Sequence, residues 1–335
     1  GEPTSEADPP NGVLGVSVHM VEAPIEHRAT SSSASSSASS SASLHKLPRI
    51  DTVYARCKAS MEWLDTVNRD YIQRHQFKTR SVAIRSVAGS GKTTTLLQLG
   101  KSFQQERSRA LQMQMQSGST LSVLYIAYNK NLVEEMKHKV KARGLSDAVH
   151  PLTFDGLVYR VAQRRFEEAG QLFEFSGALT GHELSSRYEW FQGKAYRLKK
   201  QVIEAYARFC QDPKAIVPST SEPPWLHRWV VQLWRDTLNG SLLTFDGLRK
   251  MAHLQHWMKG VLDERYARVF VDEAQDFDPL MLDILLNDVT VPKVFVGDPG
   301  QQIYEWRGTI NAFEQLPDNT LVLEFYKTFR MGEPA

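Results

Sequence analysis

Short apolar runs closed by polar turns recur along this chain, and most are followed by a stretch of helical spacing. Val82, Ile84 and Val87 lie in the first run, and Leu121–Ala127, Ala267–Val271, Lys293–Val296 and Thr320–Phe325 repeat it. Runs that are apolar throughout, rather than alternating with polar residues, predict strands covered on both faces, as in a parallel sheet. After the second run Leu132, Met136 and Val140 share one helical face. Leu152-Thr153-Phe154-Asp155-Gly156-Leu157 reads as a strand end passing into a helix start, and the same six letters return from Leu243 to Leu248. Both copies read as Asp-capped helix starts. The alternation predicts an α/β fold built on a parallel sheet.

Two stretches break the pattern. From about residue 160 to 265 the strands stop and the chain turns helical, with Trp190, Tyr196, Trp225, Trp229 and Trp234 beside the basic residues Lys194, Arg197, Lys199 and Lys200. Aromatics among cations suit single-stranded nucleic acid, whereas tryptophans at helical spacing also build cores; the residues leave both readings open. Residues 1–48 are a Ser/Ala-rich tail with little to bury, expected to be disordered. Residues 49–80 carry Val53, Cys57, Met61, Leu64, Val67 and Tyr71 at helical spacing, which predicts leader helices; Gln73 reads as a solvated face in preference to an adenine contact.

The 335 residues are 41% hydrophobic and 23% charged, enough for two domains of ordinary size. A net charge of +2 means that any nucleic acid must be held by a local basic groove. Two cysteines, Cys57 and Cys210, suggest neither a disulfide framework nor a zinc site. No apolar run is long enough to cross a bilayer, so no membrane partner is expected. The start at Gly1 rather than methionine suggests a piece of a longer protein.

The candidate chemistry clusters at the ends of the runs. Gly89 and Gly91 let the backbone turn so that N–H groups face inward, and a helix starting near Lys92 adds the positive end of its dipole. Ala88, Gly89, Ser90, Gly91, Lys92, Thr93 and Thr94 therefore read as a phosphate cradle for a nucleotide, with Lys92 on the terminal phosphates and the Thr93 hydroxyl on Mg²⁺. Ser86 stands where the strict pattern has glycine. Ala267–Val271 delivers Asp272 and Glu273 to a strand end, where the first can hold Mg²⁺ through its water shell and the second can take a proton from an attacking water. Gln301, after the turn that follows Lys293–Val296, is placed to sense a γ-phosphate.

Taken in order, AGSGKT, AYNK, LTFDGL, VDEAQD, GDPGQQIYEWRG and TFR resemble the first motor half of a superfamily 1A (UvrD/Rep-like) DNA helicase, from Ser81 to Arg330. GDPGQQIYEWRGTINAF and the TFR ending are more similar to the F-box DNA helicases than to the bacterial repair helicases. The resemblance implies a RecA-like P-loop NTPase sheet (81–159 and 266–335) with an inserted helical subdomain (160–265). It also implies ATP and Mg²⁺ as cofactors, single-stranded DNA and a second RecA-like domain as partners, and 3′ to 5′ movement. A nuclear role in DNA repair or recombination follows from the same likeness. By position, Lys92, Glu273, Gln301 and Arg330 would be catalytic, with Glu273 the base and Arg330 an arginine finger. Phe329 would stack on adenine, Thr93 and Asp272 would hold the metal, and Tyr128, Asn129, Phe154, Trp306 and Arg307 would contact single-stranded DNA. Asp155 stands where the family usually has histidine, and a carboxylate facing DNA phosphates would be repulsive. The rival expectation is an ATP-sensing DNA-binding module, or an incomplete motor without the second domain.

Overall fold

The computed structural model describes residues 80–112, 122–216, 222–301 and 312–328, together with Thr66, Arg69 and Pro218. The chain enters through β1 (Val82–Ser86), α1 (Lys92–Gln112), β2 (Val123–Ala127), α2 (Lys130–Ala142), β3 (Val149–Thr153) and α3 (Phe154–Glu168). An insertion follows: β4 (Phe175–Gly177), α4 (Gly181–Arg187), α5 (Tyr196–Gln211), α6 (Pro224–Leu238), β5 (Leu243–Thr244) and α7 (Phe245–Leu254). The sheet resumes with β6 (Arg268–Asp272), α8 (Pro279–Asp283), which widens into a π-turn over Ile284–Asp288, then β7 (Lys293–Gly297) and β8 (Leu321–Phe325).

Six strands pair in parallel in the order β3-β2-β6-β7-β1-β8. Five of them match the apolar runs to within two residues, and β3 carries the strand end read at Leu152-Thr153. Successive side chains point to opposite faces. On one face Val82, Ile84, Tyr125, Phe270 and Val296 meet Leu96 and Phe103 of α1 and Val133 and Met136 of α2. On the other, Ala83, Leu124, Ile126, Val269, Val271 and Phe295 belong to a core that continues into the insertion through Phe154, Tyr206, Trp229 and Leu248.

The insertion is not purely helical, since β4 and β5 pair in parallel as a second small sheet. Its tryptophans divide the two readings left open. Trp229 and Trp234 are buried, and Trp190 lies against Phe191 and Trp229. Tyr196 remains 72% exposed, and the Lys194 Nζ sits 5.1 Å from the Trp190 ring centre. The repeated six letters are helix starts, but threonine caps them. Thr153 Oγ1 accepts from the Gly156 N–H at 2.9 Å and Thr244 Oγ1 from the Gly247 N–H at 3.1 Å. The aspartates are thereby free to turn to another partner, Arg249.

Candidate functional site

The loop after β1 turns through two left-handed glycines, Gly89 at φ 72° and Gly91 at φ 86°, a conformation that carries no penalty without a Cβ. Ser90 N–H donates to Val87 O at 3.2 Å, and the first α1 bond runs from Thr95 N–H to Gly91 O at 3.0 Å. The amides of the first helical turn before Thr95, Gly91 to Thr94, are thus left for an external acceptor, at the positive end of a 21-residue helix. They open on a cleft of about 610 Å³ lined by Gly89–Thr95, Gln98, Leu132, Glu135, Lys139, Glu273, Phe325 and Arg69. Ala88 and Thr93 are half-buried, Ser90 is buried and Thr94 is exposed.

Across this cleft Lys92 Nζ donates to Glu273 Oε2 at 3.1 Å. The ammonium is 11% exposed and the carboxylate 25%, so the pair sits in a partly desolvated cleft where charge counts for more than on open surface. Glu273 reaches it from a left-handed backbone, φ 47° and ψ 51°, uncommon for a residue with a side chain and concentrated at functional sites. One residue earlier, Asp272 is clasped from two sides. Its Oδ2 accepts from the Tyr125 hydroxyl at 2.7 Å and its Oδ1 from the Glu273 N–H at 3.0 Å. Burial, opposed by the Tyr125 bond, pushes Asp272 up to about 6. Burial and the nearby carboxylates drive the Tyr125 hydroxyl far upward, so it keeps its proton and remains a donor.

Gln275 joins the acidic loop to the next strand. Its Nε2 donates to Glu273 Oε2 at 2.8 Å, and its Oε1 accepts from the Asp298 N–H at 3.1 Å. Neither Tyr125 nor Gln275 was singled out by sequence reasoning. Gln275 lies inside the quoted VDEAQD, and Tyr125 is the one hydroxyl in an otherwise aliphatic strand. Arg69, in the leader segment, was missed too: its Nη2 donates to Ser90 O at 2.7 Å and its guanidinium lies 4.1 Å from the Phe325 ring centre.

The register of the sheet sets Thr153, Ala127 and Asp272 side by side at the carboxyl ends of β3, β2 and β6. Such ends are where open parallel sheets meet ligands. Tyr128, half-buried, and Asn129, exposed, stand at this edge. Asn129 Oδ1 caps α2 by accepting from the Asn131 N–H at 2.8 Å. The expectation for Phe154 needs correction. It is 1% exposed, with its ring edge-on to Phe277 at 5.9 Å, so the core and not a base occupies its faces. Asp155 is not a bare carboxylate either, since Arg249 Nη1 donates to it at 3.0 Å. Gln301 ends a short 3-10 turn, Pro299–Gln301, and its side chain lies outside the described residues. Gln73, Trp306, Arg307, Phe329, Arg330 and the Ser/Ala-rich tail also lie outside them.

Among the described residues no three His, Cys, Asp or Glu side chains gather to hold a metal unaided, and no helix is long and apolar enough to cross a membrane. The chain is 28% identical over 277 residues to F-box DNA helicase 1 of Gallus gallus, covering 75% of this chain and 25% of that protein. It is 23% identical over 275 residues to F-box DNA helicase protein 1 of Schizosaccharomyces pombe, covering 74% of this chain and 29% of that one. The chain thus spans about a quarter of the length of the curated relatives it matches. The family described as UvrD/REP helicase N-terminal domain matches residues 67–319, a span that takes in the glycine loop and Glu273, and this chain belongs to that family.

Proposed function

We propose that this chain is the first motor half of a DNA helicase, binding ATP with Mg²⁺ and coupling hydrolysis to 3′ to 5′ movement on single-stranded DNA. The observation that carries the reading is the Lys92–Glu273 pair spanning the cleft beside the glycine loop. In this structure the two charges satisfy each other. A γ-phosphate entering between them offers Lys92 a doubly suited anion. Glu273 is then released, still held at Oε2 by Gln275, to accept a proton from the attacking water. The α1 amides bind the phosphates and hold them in line for that water.

The Thr93 hydroxyl and the Asp272 carboxylate are hard oxygen donors, which fits Mg²⁺ completed by phosphate and water oxygens. Bound there, Mg²⁺ would neutralise charge on the transferring phosphate. Gln301 would sense the γ-phosphate, Arg330 would act as arginine finger and Phe329 would stack on adenine. Tyr128, Asn129, Trp306 and Arg307 would face the DNA strand. A second RecA-like domain would close over the nucleotide, and the work would be nuclear repair or recombination.

The test is ATP hydrolysis by the 335-residue chain with and without an oligothymidylate, with Glu273→Gln as the blank. DNA-stimulated turnover that disappears in the blank is expected. A parent chain that binds no nucleotide, or a blank that hydrolyses as fast as the parent, overturns the reading.

A further inference from the structure

We infer that Arg249 is a positioning residue that ties the loop after β3 to the loop bearing Glu273, so that a strand held at the sheet's carboxyl edge sets the geometry of the hydrolytic loop. The inference rests on the proposed coupling of ATP hydrolysis to single-stranded DNA.

Arg249 belongs to α7 of the insertion, yet its side chain, 6% exposed, faces the sheet domain's own motifs. Nη1 donates to Asp155 Oδ1 at 3.0 Å, and Nη2 donates to Asp246 one turn earlier in the same helix. A guanidinium can serve two carboxylates at once because its donors are fixed in a plane; an ammonium cannot hold both in one geometry. This also accounts for the repeated LTFDGL letters, because each copy places an aspartate in the first turn of its helix and one arginine takes both.

The other end of the tie is the loop of Glu273. Asp278, five residues on, caps α8 by accepting from the Met281 N–H at 2.8 Å and lies close enough to act on the Arg249 charge, as does Tyr128. Burial works against the guanidinium's charge, but Asp155 and Asp246 outweigh it and keep it protonated. Phe277, next to Asp278, is the residue on which Phe154 rests. The bond that fixes α7 to α8 is His253 to Asp283, at 2.8 Å. One inserted helix therefore grips both the Thr153–Asp155 corner and the chain leaving Glu273. A shift of either must be accommodated by the other, because a buried ion pair cannot be parted cheaply.

The test measures the affinity of a fluorescent ATP analogue with and without an oligothymidylate, for the parent and three variants. In the parent, DNA should change nucleotide affinity by about fivefold or more. Asp155→Asn removes the charge from the arm that crosses between elements, leaving at most a weaker neutral bond. It should bring that factor close to one, with nucleotide affinity in the absence of DNA and the circular dichroism spectrum unchanged. Asp246→Asn removes the charge from the arm that stays within α7 and should keep the parental factor, which a merely structural role for Arg249 does not predict. Arg249→Lys should behave as Asp155→Asn. A parental factor in Asp155→Asn, or equal losses in the two aspartate variants, overturns this inference alone. A parent whose nucleotide affinity ignores DNA overturns the proposed coupling and this inference with it.

Discussion

Gly297, the last residue of β7, has no left-handed backbone to explain it; what demands glycine is the approach of Gln275. A Cβ at 297 would overlap Gln275 Oε1 outright and come within 3.1 Å of Ala274 N and 3.2 Å of Phe313 Cε2. Gly297→Ala must therefore push Gln275 off its two bonds. The loss at Asp298 leaves a buried N–H unpaired, costing about 1–3 kcal/mol. The loss at Glu273 removes a bond to a carboxylate, about 1.5–3 kcal/mol when dry and less here because Glu273 is a quarter exposed. A fall of about 2–4 kcal/mol in unfolding free energy is expected, read as a lower urea midpoint at unchanged slope. Gln275→Ala removes the obstacle. In that background Gly297→Ala should cost only about 1 kcal/mol, the residual squeeze on Ala274 and Phe313. The two substitutions are thus strongly non-additive. If Gly297→Ala costs the same in both backgrounds, the steric account is wrong.

The remaining predictions address charge and capping. Lys92→Ala should abolish DNA-stimulated hydrolysis, while Glu273→Gln should retain nucleotide binding and lose turnover by about 10²-fold or more, measured by phosphate release. Burial and Glu273 push Asp276 up from 3.8 to about 6, so between those values the native chain holds a proton the unfolded chain has lost. That contribution is present at low pH and lost as pH rises through about 6, so Asp276→Asn should raise Tm at about pH 7.5 and leave it unchanged at about pH 4. Thr153→Ala should cost about 1 kcal/mol of stability as the α3 cap is lost, whereas a denaturant midpoint equal to the parent's would return the capping role to Asp155.

The strands could be read from the sequence because the central strands of a parallel sheet, buried on both faces, are dominated by apolar residues. The turn into α1 was equally legible, since two glycines at that spacing answer to local chain geometry. What escaped was whatever depends on distant segments meeting. Asp246 and Arg249 stand three apart and suggest a pair, but Asp155 joins them from 94 positions earlier in the chain. Tyr125 reads as one more apolar strand residue until its hydroxyl is found on Asp272. Nothing local announces that Glu273 adopts a left-handed backbone. Phe154 failed for the opposite reason: a motif suggested an exposed contact, and tertiary packing against Phe277 claimed the ring.

The core that runs from one face of the sheet into the insertion makes the two parts a single cooperative unit. Deleting 160–265 would strip Tyr206, Trp229 and Leu248 out of that shared core and expose the apolar residues they pack among, which favours aggregation. Heating should accordingly melt sheet and insertion in one transition, and limited proteolysis should not release the insertion as a folded fragment. Such an insertion is not a detachable module, because its interior and one face of the sheet are a single core.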